Sequence, residues 1–197
     1  MKQSDGFGTD WLPSAGGSSA QENVYYVTPG VGDLPTIQSA INKAFADGSG
    51  TGGKIATIFI PPGTYTENLT FKPGQCFVAE TSQVSVGATK IVGQHTYTPP
   101  VNSDPLSVLV TLQGLSFLDG NAGDTISILG VEGSFFSTQG CAFTKGSGTG
   151  SSLNCVNPTG IFVLTGTSST FNSSSDAMIK SAAAVTVIQG CSHSSGG

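Results

Sequence analysis

Arginine is absent: all seven basic residues are Lys, set against 12 acidic ones, and charged side chains make up only 10% of the 197 residues. Arg provides the planar fork that grips phosphates, carboxylates and base edges. A chain with neither Arg nor a basic run lacks the electrostatic footprint of a nucleic-acid or polyanion binder, so no nucleic-acid partner is expected. Histidine is scarce, with only His95 and His193, and Cys76, Cys141, Cys155 and Cys191 show no CxxC spacing. These residues make no zinc constellation, so buried thiols and no cofactor are expected. No window approaches the ~20 apolar residues of a membrane span, and Met1 to Gly17 carries no apolar signal-like core. Neither membrane insertion nor a secretory signal is expected.

What the chain does have is glycine, 28 residues of it, with a hydrophobic fraction of 37% and a net charge of −5. Helices normally cover their wet face with Lys and Glu. Here Ser, Thr, Asn and Gly must cover it, which suits short strands joined by tight turns. The length allows one domain with a sizeable core, plus a tail. Residues 1–22 mix Gly, Ser, Asp and Pro around the single Trp11 without periodicity. They read as an N-terminal arm, flexible or bound to a partner, with Trp11 and Leu12 as anchors; residues 23–197 form the folded domain.

Ile37, Ala40, Ile41, Ala44 and Phe45 fall at i, i+3, i+4, i+7 and i+8, predicting an amphipathic helix over about residues 35–47 with all five on its buried side. Pro35 suits its first turn, Asp33 its N-terminal charge and Gly48 its stop. GSGTGG, residues 48–53, matches a dinucleotide-loop pattern but leaves a helix and enters a strand, the reverse of that loop's context. It reads as a linker. Beyond it, Ile55 to Ile60, Asn68 to Phe71 and Cys76 to Ala79 read as strands parted by Pro-Pro-Gly and Lys-Pro-Gly turns. Such short links leave no room for the helical crossovers of an α/β sheet. A coil that pairs with itself one turn later needs none.

The second half repeats. Gly114, Gly140, Gly166 and Gly190 recur at intervals of 26, 26 and 24 residues, three of them in the strings LQGLSF, TQGCAF and IQGCSH, and Gly93 reads as an earlier member. A period in the twenties is one solenoid turn with Gly at a corner, and about six rungs then fit between residues 55 and 195. Cys141 and Cys191 fall at one repeat position two rungs apart, ~10 Å at ~4.8 Å per rung and beyond disulfide reach.

YVTPGVGDLPTIQSAINKA followed by ATIFIPPGTYTENLTF, in a match covering roughly residues 24 to 80, resembles the opening of pectin-lyase-like and pectinesterase-like proteins, where a capping helix precedes the first rung. The resemblance implies an all-β fold: a right-handed, single-stranded parallel β-helix with an N-terminal capping α-helix. Relatives of that kind include pectin-modifying enzymes, phage tailspikes and virion proteins, so activity does not follow from fold. The enzymes' later motifs, including their Arg, have no match here.

Asp119, Asn121 and Asp124 in DGNAGD are the best oxygen ligands for a metal such as Ca²⁺. Asp-Gly-Asn is also a common turn, and the turn is the preferred reading. Glu132 reads as an exposed strand-end acid. His95 and His193 sit at corresponding rung positions about four rungs apart, too far to form a catalytic pair. Asn68-Leu-Thr70 matches a glycosylation acceptor but reads as strand. Tyr25, Tyr26, Tyr65 and Tyr97 fit either a sugar-stacking surface or packing. No catalytic residue is assigned.

Two function classes remain. The first is a non-enzymatic structural protein of a virion, capsid-associated, fibre or tail, whose partners are other subunits or its own copies. The alternative is a carbohydrate-active enzyme or glycan-binding module. In the first, Val185, Val187 and Ile188 on the final rung are expected to be covered, by a symmetry mate, by a different subunit or by the chain's own arm folding back, because an end rung exposes unpaired backbone groups and apolar side chains.

Overall fold

Alternation of buried and wetted residues over four or five positions makes each strand of the coil, as in Ala56–Ile60, where Ala56, Ile58 and Ile60 point inward. The structure, a computed structural model, describes residues 23–80, 88–101, 108–119, 121–130, 134–146, 149–156, 161–173 and 179–193. The strands form three faces of a right-handed parallel β-solenoid. The first face holds β1 (Val24–Tyr26), β2 (Ala56–Ile60), β5 (Gln75–Ala79), β8 (Leu109–Gln113) and β11 (Ser134–Gln139). The second holds β3 (Gly63–Thr66), β6 (Thr89–Val92), β9 (Leu115–Asp119) and β12 (Ala142–Lys145). Two long strands, β14 (Ile161–Ser173) and β16 (Val185–His193), run across both of these faces. The third face holds β4 (Thr70–Phe71), β7 (His95–Tyr97), β10 (Ile126–Leu129), β13 (Leu153–Val156) and β15 (Ile179–Ser181).

Every strand pairing is parallel, and Gly63, Thr89 and Leu115 stand opposite one another on successive turns. Five strands on the third face bound about four full turns, slightly fewer than six rungs. Like residues stack inside. Phe117, Phe143 and Phe171 lie in one column with centroids 5.2 and 4.5 Å apart and planes within 4° and 3° of parallel.

The helix, α1, spans Ile37–Ala46. It starts later than expected because Thr36 is the N-cap, exchanging hydrogen bonds with Ser39, while Pro35 precedes the cap. The carboxylate at its N-terminus comes from Glu67, which accepts from the Ile37 and Gln38 N–H groups at 3.1 Å, rather than from Asp33. Ile37, Ala40, Ile41 and Ala44 are buried, but Phe45 is 45% exposed. At about 100° per residue Phe45 lies ~90° from the centre of the buried stripe. Its ring lies under Lys72 instead, with Nζ 5.3 Å from the centroid.

The glycine register needs two corrections. Gly114 and Gly140 are equivalent corners, since Gln113 pairs with Gln139. Gly166 is no corner: it lies within β14 opposite Thr138, and a register shift between Thr165 and Ser169 absorbs the extra residues, with Gly190 over it. Gly93 belongs to a different corner, between the second and third faces. His95 and His193 are likewise not equivalent, one lying on the third face and the other opposite Phe171. Cys141 and Cys191 do share a position, both standing level with Ser169, and Cys76, Cys141 and Cys155 form no disulfide.

Candidate functional site

The acidic loop of DGNAGD lies at the corner between the second and third faces, and its two carboxylates take different partners on the next turn. Asp119 is fully buried against Lys145, whose Nζ stands 2.6 Å from Asp119 Oδ2 with both side chains at 0% exposure. The two residues are opposite one another on adjacent turns. Gln94 Nε2 donates to Asp119 Oδ2 at 3.2 Å and to the Ala122 carbonyl at 2.6 Å. The Asn121 N–H donates to Asp119 Oδ1 at 2.9 Å, and Lys145 Nζ also donates to the Asn121 carbonyl. Burial alone pushes the Asp119 carboxyl up. The hydrogen bonds from Lys145, the Asn121 N–H and Gln94, with the charge of Lys145, outweigh it and hold the group below its ordinary range.

Asp124 has partners of its own. It accepts from the Ser151 N–H at 2.8 Å and from Asn154 Nδ2 at 2.7 Å, tying its turn to the next. The residues therefore do not fit Ca²⁺: an ammonium already stands where the cation would, and the second carboxylate is occupied elsewhere. Among the described residues no group of three or more His, Cys, Asp or Glu is placed to hold a metal. Asp119, Asn121 and Asp124 lie together at this corner, with Lys145 as the partner that sequence reasoning missed. The signal was there, since Lys145 follows Asp119 by the same 26 residues that separate Gly114 from Gly140.

His95 faces inward on the third face between Phe71 and Phe117. Its Nδ1 accepts from the Leu69 N–H at 3.0 Å, so neutral imidazole carries its proton on Nε2, which is buried without a hydrogen-bond partner. Burial drives its pKa down to about 4, opposed by the charge of Asp119. A neutral ring with no open path to a substrate does packing rather than proton transfer. The tyrosines make no common sugar platform: Tyr25, Tyr65 and Tyr97 are buried, and Tyr26 alone is exposed, stacked on Phe59 at 5.2 Å.

A shallow groove of about 240 Å³ opens where the first face turns into the second, lined by Val78, Ala79, Gln113, Gly114 and Gln139. Its two Gln side chains stand one turn apart. They offer amide donors and acceptors but no titratable group. On the last described strand, Val185 and Ile188 are 50% and 45% exposed, while Val187 is half-buried. Trp11, Leu12 and Glu132 lie outside the described residues. No helix among the described residues is long and apolar enough to cross a membrane. No protein-family model, curated protein or solved structure matches the chain.

Proposed function

We propose that the chain is a non-enzymatic structural subunit of a larger particle, a virion component of the capsid-associated, fibre or tail kind, within the pectin-lyase-like group of β-helices. The observation that carries this reading is the use to which the buried polar side chains are put. Asp119 with Lys145, and Asp124 with Ser151 and Asn154, doubly join one pair of adjacent turns, and Glu67 and Gln75 bind the capping helix to the coil, Gln75 through the Ile41 carbonyl at 2.9 Å. Polar groups spent on joining turns make a stiff rod. Its contacts with other subunits or further copies are assigned to Val185, Val187 and Ile188 and to the arm bearing Trp11 and Leu12. Deleting residues 1–20 should leave the melting transition in place and abolish incorporation into the particle; Ile188→Lys should weaken the contact between subunits by native mass spectrometry. Normal incorporation of the truncated chain refutes the attachment role.

The groove at Gln113 and Gln139 favours the second reading, a glycan-binding module, because paired amides suit neutral hydroxyl-rich ligands. Oligosaccharide binding lost in Gln113→Ala and Gln139→Ala would select it over the first.

A further inference from the structure

The outside of the first face is not uniformly polar. Thr57, Thr111, Ser137 and Thr165 form one outward column through the register of their strands, as a wetted sheet face requires. Two residues upstream on the same strands the outward column is apolar. Leu109, Phe135 and Val163 stand side by side with Val187 next in line, each half-buried. Ile161 and Val185, a further two residues upstream, are 48% and 50% exposed and widen the strip. At ~4.8 Å between strands the column runs ~14 Å without a polar side chain. Contiguous apolar surface on a wetted face marks a contact.

The first strand reaches this same face. Val24 is level with Thr57 and, through Cys76, with Thr111. Leu109 lies two residues before Thr111, so Asn23, the first described residue, stands within one residue of the level of the apolar column. From β1 the column begins three strands away at Leu109 and reaches Val163 at the fifth, ~14 and ~24 Å off. Trp11 precedes Val24 by 13 residues, and an extended chain covers ~3.3 Å per residue, giving it ~40 Å of reach. We propose that the segment around Trp11 and Leu12 folds back along the first face of its own subunit and covers the Leu109, Phe135, Val163 and Val187 column. The tether makes the encounter intramolecular, at an effective concentration no dilute partner matches. Trp11 and Leu12 bring the apolar surface the column lacks, and no charged residue stands in either outward column. The inference goes beyond the subunit reading and concerns the isolated chain: it assigns where the arm lies when no neighbour is present.

Trp11 is the single Trp of the chain, so its fluorescence reports the segment alone. In the monomer, the emission should lie to the blue of the urea-denatured chain and resist quenching by acrylamide, at every protein concentration. Val163→Lys and, separately, Leu109→Lys should move both readings to those of the denatured chain while circular dichroism and the melting transition persist. Thr64→Lys, on the second face, should move neither. Emission already at the denatured position overturns the proposal, as does a blue shift kept by both column variants. A blue shift that appears only in a concentration-dependent dimer overturns it too, by making a second copy the occupant. All readings are taken on the monomer, so failure to assemble into a particle leaves them unaffected.

Discussion

Acid should weaken this fold through one side chain before any carboxylate titrates. His95 is neutral inside the coil, its folded pKa lowered to about 4 by burial from the ordinary 6.5. The unfolded chain therefore takes up the proton first, and stability falls as pH drops from 6.5 towards 4. The full difference corresponds to about 3 kcal/mol, of which about 2 kcal/mol is lost by about pH 5. Asp119 and Asp47, whose pKa values are lowered, add losses only further down, below the ordinary carboxyl value of 3.8. The comparison chain is His95→Leu, which continues the aliphatic column of Leu69, Ile126 and Leu153 on neighbouring turns. At neutral pH this variant leaves the Leu69 N–H without its acceptor but also removes an unpartnered Nε2–H, each worth about 1–3 kcal/mol, so the two offset. Urea unfolding of both chains at about pH 7 and about pH 5 should show the parent losing about 2 kcal/mol more than the variant. Equal losses in the two chains would mean that His95 does not set the acid sensitivity, and the burial argument would fall.

Lys145→Met should cost about 3–5 kcal/mol in thermal melting because it strands Asp119 as a buried charge, and adding Asp119→Leu should recover most of that loss. Ile41→Asp should lower the melting temperature sharply, by several kcal/mol in stability, since Ile41 is 0% exposed on the inner side of the capping helix. Glu67→Gln should cost about 1 kcal/mol by removing the negative charge from the helix N-terminus, with the loss shrinking in high salt. Gly74→Ala should cost more than about 2 kcal/mol or prevent folding, because φ is +67° and the added Cβ would meet the Gly50 Cα at 2.5 Å and the Lys54 carbonyl at 2.7 Å.

The coil was legible because two independent patterns agreed: helix, turn and strand in order at the start, and Gln-Gly strings at a fixed period later. The period also located Cys141 and Cys191 correctly. It failed at Gly166, where a register shift inside a strand added residues without adding a turn signal, and spacing alone cannot tell a corner from a bulge. Phe45 was misplaced because a hydrophobic period marks a stripe, while only packing against the coil says how wide the buried part is. At the acidic loop Asp-Gly-Asn reads as a turn, but its ion pair joins residues on different turns. Opposite charges reveal that kind of pairing only when the period is applied to the charged residues as well as to the glycines. The apolar column outside the first face was hidden for a related reason. Alternating strand residues look the same from either side until the register says which set points inward.

The buried ion pair has a bearing on how such a coil can grow. A phenylalanine column tolerates duplication of one turn, since Phe simply stacks on another Phe. Copying the 26 residues that begin at Leu115 would instead place a second buried Asp119 in the corner with a single Lys145 to share. Losing the turn that carries Lys145 would leave Asp119 facing its neighbour uncompensated. Slippage of one turn during folding meets the same mismatch, so the pair acts as a phase marker in an otherwise periodic molecule. Lengthening at this point is then favoured in steps that carry both charges, and the rest of the coil is free to change by one turn at a time.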